Sequence, residues 1–304
     1  MLKEKHLPPS IFKYKNIHDS SIKNIEDDSV WLADPLTFND PYDAAFSMNS
    51  ARLGELCFIE NFDFFAEKTK ITEKLSEEQI ELVKQSSKPA TTLSEILIKD
   101  STEPNKEDII KLFDDLQIKL YDEMLNDFNE SIKTSFKICS FSTNLHSILM
   151  WGHYTKNHSG FCVEYDLTKI PYGDYRTRFL YPIIYSEDLL DITEYMEYSF
   201  KKDKTFNNLY LTLAALRKSI EWSYEKEWRL IFANGIMDKA QSYYMGMPKA
   251  IYLGAQISED DQKTIIDIAN RKKIPLYKMA LSPNKYKLIP KNIEDFRRIL
   301  TKKI

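Results

Sequence analysis

Glycine is scarce in this chain: it occurs seven times in 304 residues. A glycine-rich phosphate loop needs several close glycines, because backbone must approach phosphate with no side chain in the way. No two of the seven are spaced for GxGxxG or a Walker loop, so a Rossmann dinucleotide site and a P-loop site are both disfavoured. Cysteine is scarce too. Cys57, Cys139 and Cys162 are far apart and odd in number, which fits a reducing compartment better than a disulfide framework. No apolar run reaches the roughly 18 residues that span a bilayer. The opening MLKEKHLPPS lacks the apolar stretch of a signal peptide. Arginine supplies only 8 of the 42 basic residues, and with 46 acidic residues the net charge is −4. That leaves no global basic field to coat nucleic acid, though a local basic cleft stays compatible. These absences together predict a cytoplasmic protein with no membrane segment.

What is present is the balance of a soluble globular chain, 43% hydrophobic and 29% charged, with 17 Phe, 18 Tyr and 4 Trp. Residues 11–17 and 29–35 alternate as short strands, the second closed by Pro35, with a helical turn over 18–27 capped by Asp19 or Ser20. Residues 56–137 lack such alternation and predict helices around 58–70, 76–99 and 106–135, with loops at 86–91 and 101–106. Ile109, Leu112, Leu116 and Leu120 recur at helical spacing and predict a buried face. Strand character returns at 137–143, 160–165, 179–185, 225–233, 250–255 and 275–281, with a last strand at KYKLIP. Between these lie a short helix near 147–157, a long helix over 192–222 and a helix over 258–273 capped by Ser258. The expectation is one α+β domain over 1–304, built of short-stranded split sheets, with a helical insertion at 56–137.

Chemistry concentrates in three clusters. The first is Lys13-Tyr14-Lys15 on the opening strand. The second is Ser140-Phe141-Ser142-Thr143 followed by Met150-Trp151-Gly152-His153-Tyr154. The third is Tyr224-Glu225-Lys226-Glu227-Trp228-Arg229. On a strand, residues two apart share a face, so Glu225 and Glu227 point the same way and repel unless a cation or ligand relieves them. Such a pair suits an oxocarbenium-like centre or a general base; a solvated edge strand gives the same pattern. Ser140 and Ser142 also share a face and suit a ribose or a backbone partner. His146, His153, His158 and Cys162 lack metal-ligand spacing, with no HExxH and no paired CxxC, so no metal site is expected. Cys139 and Cys162 read as buried small hydrophobes.

These clusters, with Phe38-Asn39-Asp40-Pro41-Tyr42-Asp43 and the run from Met150 to Asp166, resemble a bacterial family known as "domain of unknown function 2971". The family more often has Arg where this chain has Lys15, and its name carries no activity. The order of a basic residue, a serine strand and a later Glu-x-Glu is also similar to the R-S-E pattern of ADP-ribosyltransferases. That similarity implies NAD as substrate, bound without a glycine-rich loop. It implies Lys15 at the diphosphate or ribose, Ser140 and Ser142 shaping the nicotinamide pocket, Glu227 supporting the oxocarbenium transition state and Glu225 orienting the acceptor. Tyr14, Trp151 and Tyr154 are candidates to stack on a flat ring, and His153 to reach the ligand. The implied activity is that of an ADP-ribosyltransferase or NAD glycohydrolase. Its implied setting is a toxin-like effector of anti-phage defence, acting on a protein or nucleic-acid acceptor and held by an antitoxin or sensor partner. Two other readings fit the residues: a nuclease using Glu225, Glu227, His153 and Asp40, and a non-catalytic sensor docking through the 56–137 helices.

Overall fold

The computed structural model describes residues 7–99, 105–200 and 210–293. The strands, in chain order, are β1 (Ser10–Lys15), β2 (Ser29–Leu32), β3 (Phe46–Ser47), β4 (Phe136–Ser142), β5 (Phe161–Asp166), β6 (Leu180–Pro182), β7 (Ile184–Ser186), β8 (Leu190–Asp191), β9 (Arg217–Ser219), β10 (Glu227–Ala233), β11 (Gln241–Tyr244), β12 (Ala250–Leu253), β13 (Leu276–Leu281) and β14 (Leu288–Asn292). The helices are α1 (Asp19–Glu26), α2 (Ser50–Glu60), α3 (Phe62–Thr69), α4 (Glu77–Gln85), α5 (Pro89–Lys99), α6 (Lys106–Thr134), α7 (Ile148–Tyr154), α8 (Tyr175–Arg178), α9 (Thr193–Phe200), α10 (Tyr210–Ala214) and α11 (Glu259–Lys272). The fold is mixed α+β with split sheets. Among the described residues no helix is long and apolar enough to cross a membrane.

The chain divides into two compact units. The first gathers Met1–Asp43, Thr134–Asp188 and Leu216–Ile304; the second gathers Ala44–Lys133 and Leu189–Ala215. The helical segment expected at 56–137 thus begins earlier, with α2 at Ser50, and residues 189–215 join its unit.

An eight-stranded sheet in the order β14-β13-β12-β5-β1-β4-β10-β6 forms the spine of the first unit. Its neighbours are antiparallel except for the β12–β13 pair. The central strands carry buried apolar residues on both faces, as strands covered on both sides do. One face carries Ile11, Val163, Leu230 and Phe232 into a core with Ile265 and Ile268 of α11. The other carries Tyr14, Cys162 and Tyr252 into a core with Met150 and Trp151 of α7. Each large aliphatic side chain buried this way contributes ~1.5–3 kcal/mol. Two-stranded ribbons β2–β11 and β7–β9 accompany the sheet.

Local signals explain most boundaries. Ser258 caps α11, accepting from the Asp261 N–H at 3.2 Å, with Glu259, Asp260 and Asp261 in the first turn and Arg271 and Lys272 in the last. The α1 cap is His18, whose Nδ1 accepts from the Ser21 N–H, rather than Asp19 or Ser20. The expected strand at 179–185 splits into β6 and β7 beyond Pro182, which has no N–H to extend a ladder. The expected helix over 192–222 is not continuous: α9 and α10 are followed by β9, which pairs in parallel with β7, and by a 3₁₀ turn over Ile220–Glu225. Leu209 and the loop residues 101–104 lie outside the described residues.

In the second unit, Phe62, Ala66, Val83 and Leu93 form a core for α3, α4 and α5. The face of α6 expected to be buried is not the one that packs. Leu112, Leu116 and Leu120 are each more than half exposed, and the Ile109 side chain lies outside the described residues. Tyr121, Leu125, Phe128 and Ile132 turn inward instead. Gly54 admits the Tyr121 ring, since a Cβ there would lie 1.9 Å from it, and Phe128 packs edge-on against Phe46. Both faces of α6 carry apolar residues, so periodicity alone identified a stripe without identifying its partner.

Candidate active site

Three adjacent strands of the first unit build the site. In register, Phe12 of β1 stands opposite Ser142 of β4, and Ser142 opposite Glu227 of β10; Ser140 stands opposite Arg229. Ahead of β10, the 3₁₀ turn ends at Glu225 and Lys226 adopts a left-handed conformation at φ 46°. That turn sends Lys226 to solvent and brings both carboxylates inward. Glu225 and Glu227 are 3% and 4% exposed. They do share a face, although Glu225 precedes the strand.

The cation that relieves their repulsion is Lys218, delivered by β9. Its Nζ lies 2.6 Å from Glu225 Oε2, 3.2 Å from Glu227 Oε2 and 4.0 Å from Asp43 Oδ2, over the Trp222 ring. Arg229, fully buried, donates from Nε to Glu227 Oε1 at 2.7 Å and from Nη1 and Nη2 to Asp43 at 2.6 and 2.7 Å. This fork is the geometry guanidinium suits and ammonium does not. The Tyr154 hydroxyl donates to Glu225 Oε1. The Glu227 N–H donates to the Tyr185 hydroxyl at 2.8 Å. Three carboxylates therefore meet two cations, and one negative charge is left over.

The two glutamates are driven apart in acidity. Burial raises the Glu225 carboxyl above its ordinary value, and the charge of Glu227 adds to this against the pull of Lys218. Burial pushes Glu227 the same way, but Arg229 and then Lys218 outweigh it and hold its carboxyl at about 2. One carboxylate is thus locked in its charged form while its neighbour takes up a proton more readily, the division of labour that acid–base sites use.

Glu225, Glu227, Tyr154, Ser140 and Lys218 line a cavity of about 190 Å³. Beside it lies a cleft of about 600 Å³ that shares Lys13, Tyr14, Phe38, Ser140 and Tyr154 with it. Lys15, Lys23, His18 and Trp31 line the cleft, and among the described residues no carboxylate does. Lys13 Nζ donates to the Ser140 carbonyl at 2.8 Å, and Lys15 Nζ to Asn24 Oδ1 at 2.6 Å. Among the described residues neither lysine has a carboxylate partner. Burial, then the charge of Lys13, lowers the Lys15 ammonium to about 8.

Of the residues singled out in the sequence, Tyr14, Ser140, Ser142, Tyr154, Glu225 and Glu227 line the smaller cavity, and Lys15 lines the adjoining cleft. Two fall elsewhere. His153 is exposed on α7 with its ring near Tyr154 and Tyr224, and lines neither space. Trp151 is fully buried, donates from Nε1 to the Leu145 carbonyl and meets Tyr14 edge-on, so its ring is core rather than a stacking surface for a ligand. The Ser142 hydroxyl is engaged with the Glu225 carbonyl at 2.6 Å and positions that turn. The Tyr14 hydroxyl is likewise held by the Asn144 carbonyl. Lys218 lies inside the segment expected as a helix over 192–222, and the paired glutamates call for a cation without specifying its position in sequence. Asp43 stood in the quoted motif without a role, and Tyr185 had no signal.

Residues 150–230 match a family described as "Protein of unknown function (DUF2971)". The chain resembles the DUF2971 family. The DUF2971 match runs from Met150 at the cavity wall through Tyr154, Lys218, Glu225 and Glu227 to Arg229 and Leu230, so it spans most of the acidic centre; β1, Asp43 and the Ser140 strand lie outside it. No curated protein and no solved structure matches the chain.

Proposed function

We propose that this DUF2971-like chain cleaves the nicotinamide–ribose bond of NAD, as an ADP-ribosyltransferase or NAD glycohydrolase. The observation that carries the reading is the bipolar layout: a carboxylate-rich cavity opening beside a cleft that, among the described residues, is lined by lysines and no carboxylate. NAD has the matching polarity, with a cationic nicotinamide end and an anionic diphosphate. The similarity to the R-S-E pattern is consistent with three adjacent strands carrying the lysines, Ser140 and Glu227.

The chemistry follows from the two acidities. Breaking the C1′–N bond sends both electrons to the nicotinamide nitrogen, neutralising the pyridinium, and leaves an oxocarbenium ion at C1′. Glu227, ionised well below neutral pH, faces that positive charge and stabilises it by preorganised electrostatics. Glu225, made more basic by burial and held by its hydrogen bond from Tyr154, is the base that takes the proton from attacking water or an acceptor. Lys13 and Lys15 meet the diphosphate, in place of a backbone cradle.

The test is nicotinamide release from NAD, with and without candidate protein and nucleic-acid acceptors. Glu227→Gln should lower the rate by ~10²-fold or more, the scale of losing one preorganised group. Tyr154→Phe is the milder companion should the first variant not fold. Absence of both NAD binding and nicotinamide release in the unmodified protein refutes the reading. A role as an effector in anti-phage defence with an antitoxin or sensor partner belongs to the same proposal, and co-expression toxicity relieved by Glu227→Gln tests it.

A further inference from the structure

Lys15, placed above at the diphosphate, is held in a way that binding a phosphate does not require. A phosphate needs only positive charge, and protruding, fully solvated lysines supply it. Lys15 is instead drawn into the wall of the cleft, and its Nζ is held 2.6 Å from Asn24 Oδ1. Asn24 is itself fixed: its Nδ2 donates to Ser29 Oγ at 3.0 Å and to Ser242 Oγ at 3.4 Å, which commits Oδ1 to accept from the lysine. A neutral amide oxygen anchors the amine without stabilising its charge as a carboxylate would. Elsewhere in this unit the buried cations Lys137, Lys218 and Arg229 all have carboxylates within 4 Å.

Burial and then, among the groups facing Lys15, the charge of Lys13 favour the uncharged amine, and Cys139 opposes them. From its own strand comes Lys13, two residues away on the same face, and Tyr14. From α1 and its cap come Lys23 and His18, and from α7 comes Tyr154. Cys139 of β4 lies near enough to act in the other direction. The neighbours from β2 and β11, Trp31, Ala33 and Ser242, are neutral. A lysine desolvated beside a second cation is the arrangement by which proteins make an amine nucleophilic near neutral pH.

We propose that Lys15 is a nucleophilic amine that forms an imine with phosphorylated aldehydes, with Lys13 and Lys23 receiving the phosphate. The neutral Nζ lone pair attacks the carbonyl carbon, and the carbonyl oxygen takes up a proton to give a carbinolamine. Loss of water, carrying off that oxygen and both amine hydrogens, leaves the C=N bond. No oxidant or reductant is consumed. The proposal does not depend on the acidic cavity or on NAD, because it needs only the cleft.

Pyridoxal 5′-phosphate is a suitable probe, trapped with borohydride and mapped by peptide mass spectrometry. Lys15 should be the dominant adduct, labelled at pH 7.5 at least tenfold faster than an exposed lysine such as Lys263. Its rate should rise with a midpoint near pH 8, and Lys13→Met should move that midpoint upward by removing the neighbouring charge. Pyridoxal without the phosphate should label Lys15 at least tenfold more slowly. Labelling of Lys15 no faster than of Lys263, or a midpoint above pH 10 in the unmodified protein, overturns the proposal. The wild-type pH profile decides the matter even if Lys13→Met fails to fold.

Discussion

Replacing Lys218 by Met tests whether the acidic centre is a charge-balanced device. The substitution keeps the length of the aliphatic stem, and removes the ammonium that sits over the Trp222 ring and is shared by Glu225, Glu227 and Asp43. Arg229 remains with Glu227 and Asp43, so the unpartnered charge falls mainly on Glu225. Breaking a buried ion pair from one side costs ~3–5 kcal/mol, a large share of the 5–15 kcal/mol that holds a typical domain together. The loss should depend on pH, because Glu225 can escape by taking up a proton. Its carboxyl is already raised by burial, and losing Lys218 raises it further. The folded state then binds more protons than the unfolded state between the unfolded value and the raised one. Stability must therefore fall as pH rises through that window, by up to about 1.4 kcal/mol per pH unit. Urea unfolding followed by circular dichroism from pH 5 to 8 measures this. Lys218→Met should lie close to the unmodified protein at pH 5 and fall increasingly below it towards pH 8, and adding Glu225→Gln should recover most of the loss. A Lys218→Met variant within 1 kcal/mol of the unmodified protein at pH 8, or one that weakens towards acid instead, refutes the reasoning.

Three further outcomes are expected. Glu227, held at about 2, contributes stability that is present above pH ~4.5 and lost as pH falls towards 2; Glu227→Gln should flatten that part of the acid-unfolding curve, read by the same urea titrations. Tyr154→Phe removes a hydrogen bond that lowers the Glu225 carboxyl, so the acidic limb of any pH–rate profile should move to higher pH with the fold intact by circular dichroism. Gly160→Ala should lower the melting temperature by several degrees, because its Cβ would fall 2.2 Å from the Lys15 carbonyl and push β1 out of register with β5.

Much of the sheet was legible because its strands obey local rules. The alternation of IFKYK, the β-branched and aromatic run GFCVEY and the Ser258 cap each depend on neighbours in sequence, and each falls within a residue or two of its expected place. Legibility failed where the deciding partner is distant. Nothing near Lys218 announces that it will pair with β7 and meet Glu225, so its apolar surroundings read as helix. On α6, two apolar stripes compete and only Gly54 and Phe46 decide which one packs. In the site, Glu225 and Glu227 were recognisable as a pair in need of a cation, and Tyr154 and Ser140 do join them. Trp151 and His153 were misplaced because motif proximity does not fix which way a short helix turns: α7 presents Trp151 to the core and His153 to solvent.

Binding of NAD by the acidic cavity and the lysine cleft together is the proposal on which the catalytic reading depends. Its most direct test is nicotinamide release by the purified full chain incubated with NAD, with and without acceptors, beside Glu227→Gln. The unmodified chain should release nicotinamide, and the variant should do so ~10²-fold or more slowly. Neither binding of NAD nor release of nicotinamide by the unmodified chain, or equal release by a folded Glu227→Gln protein, would contradict it.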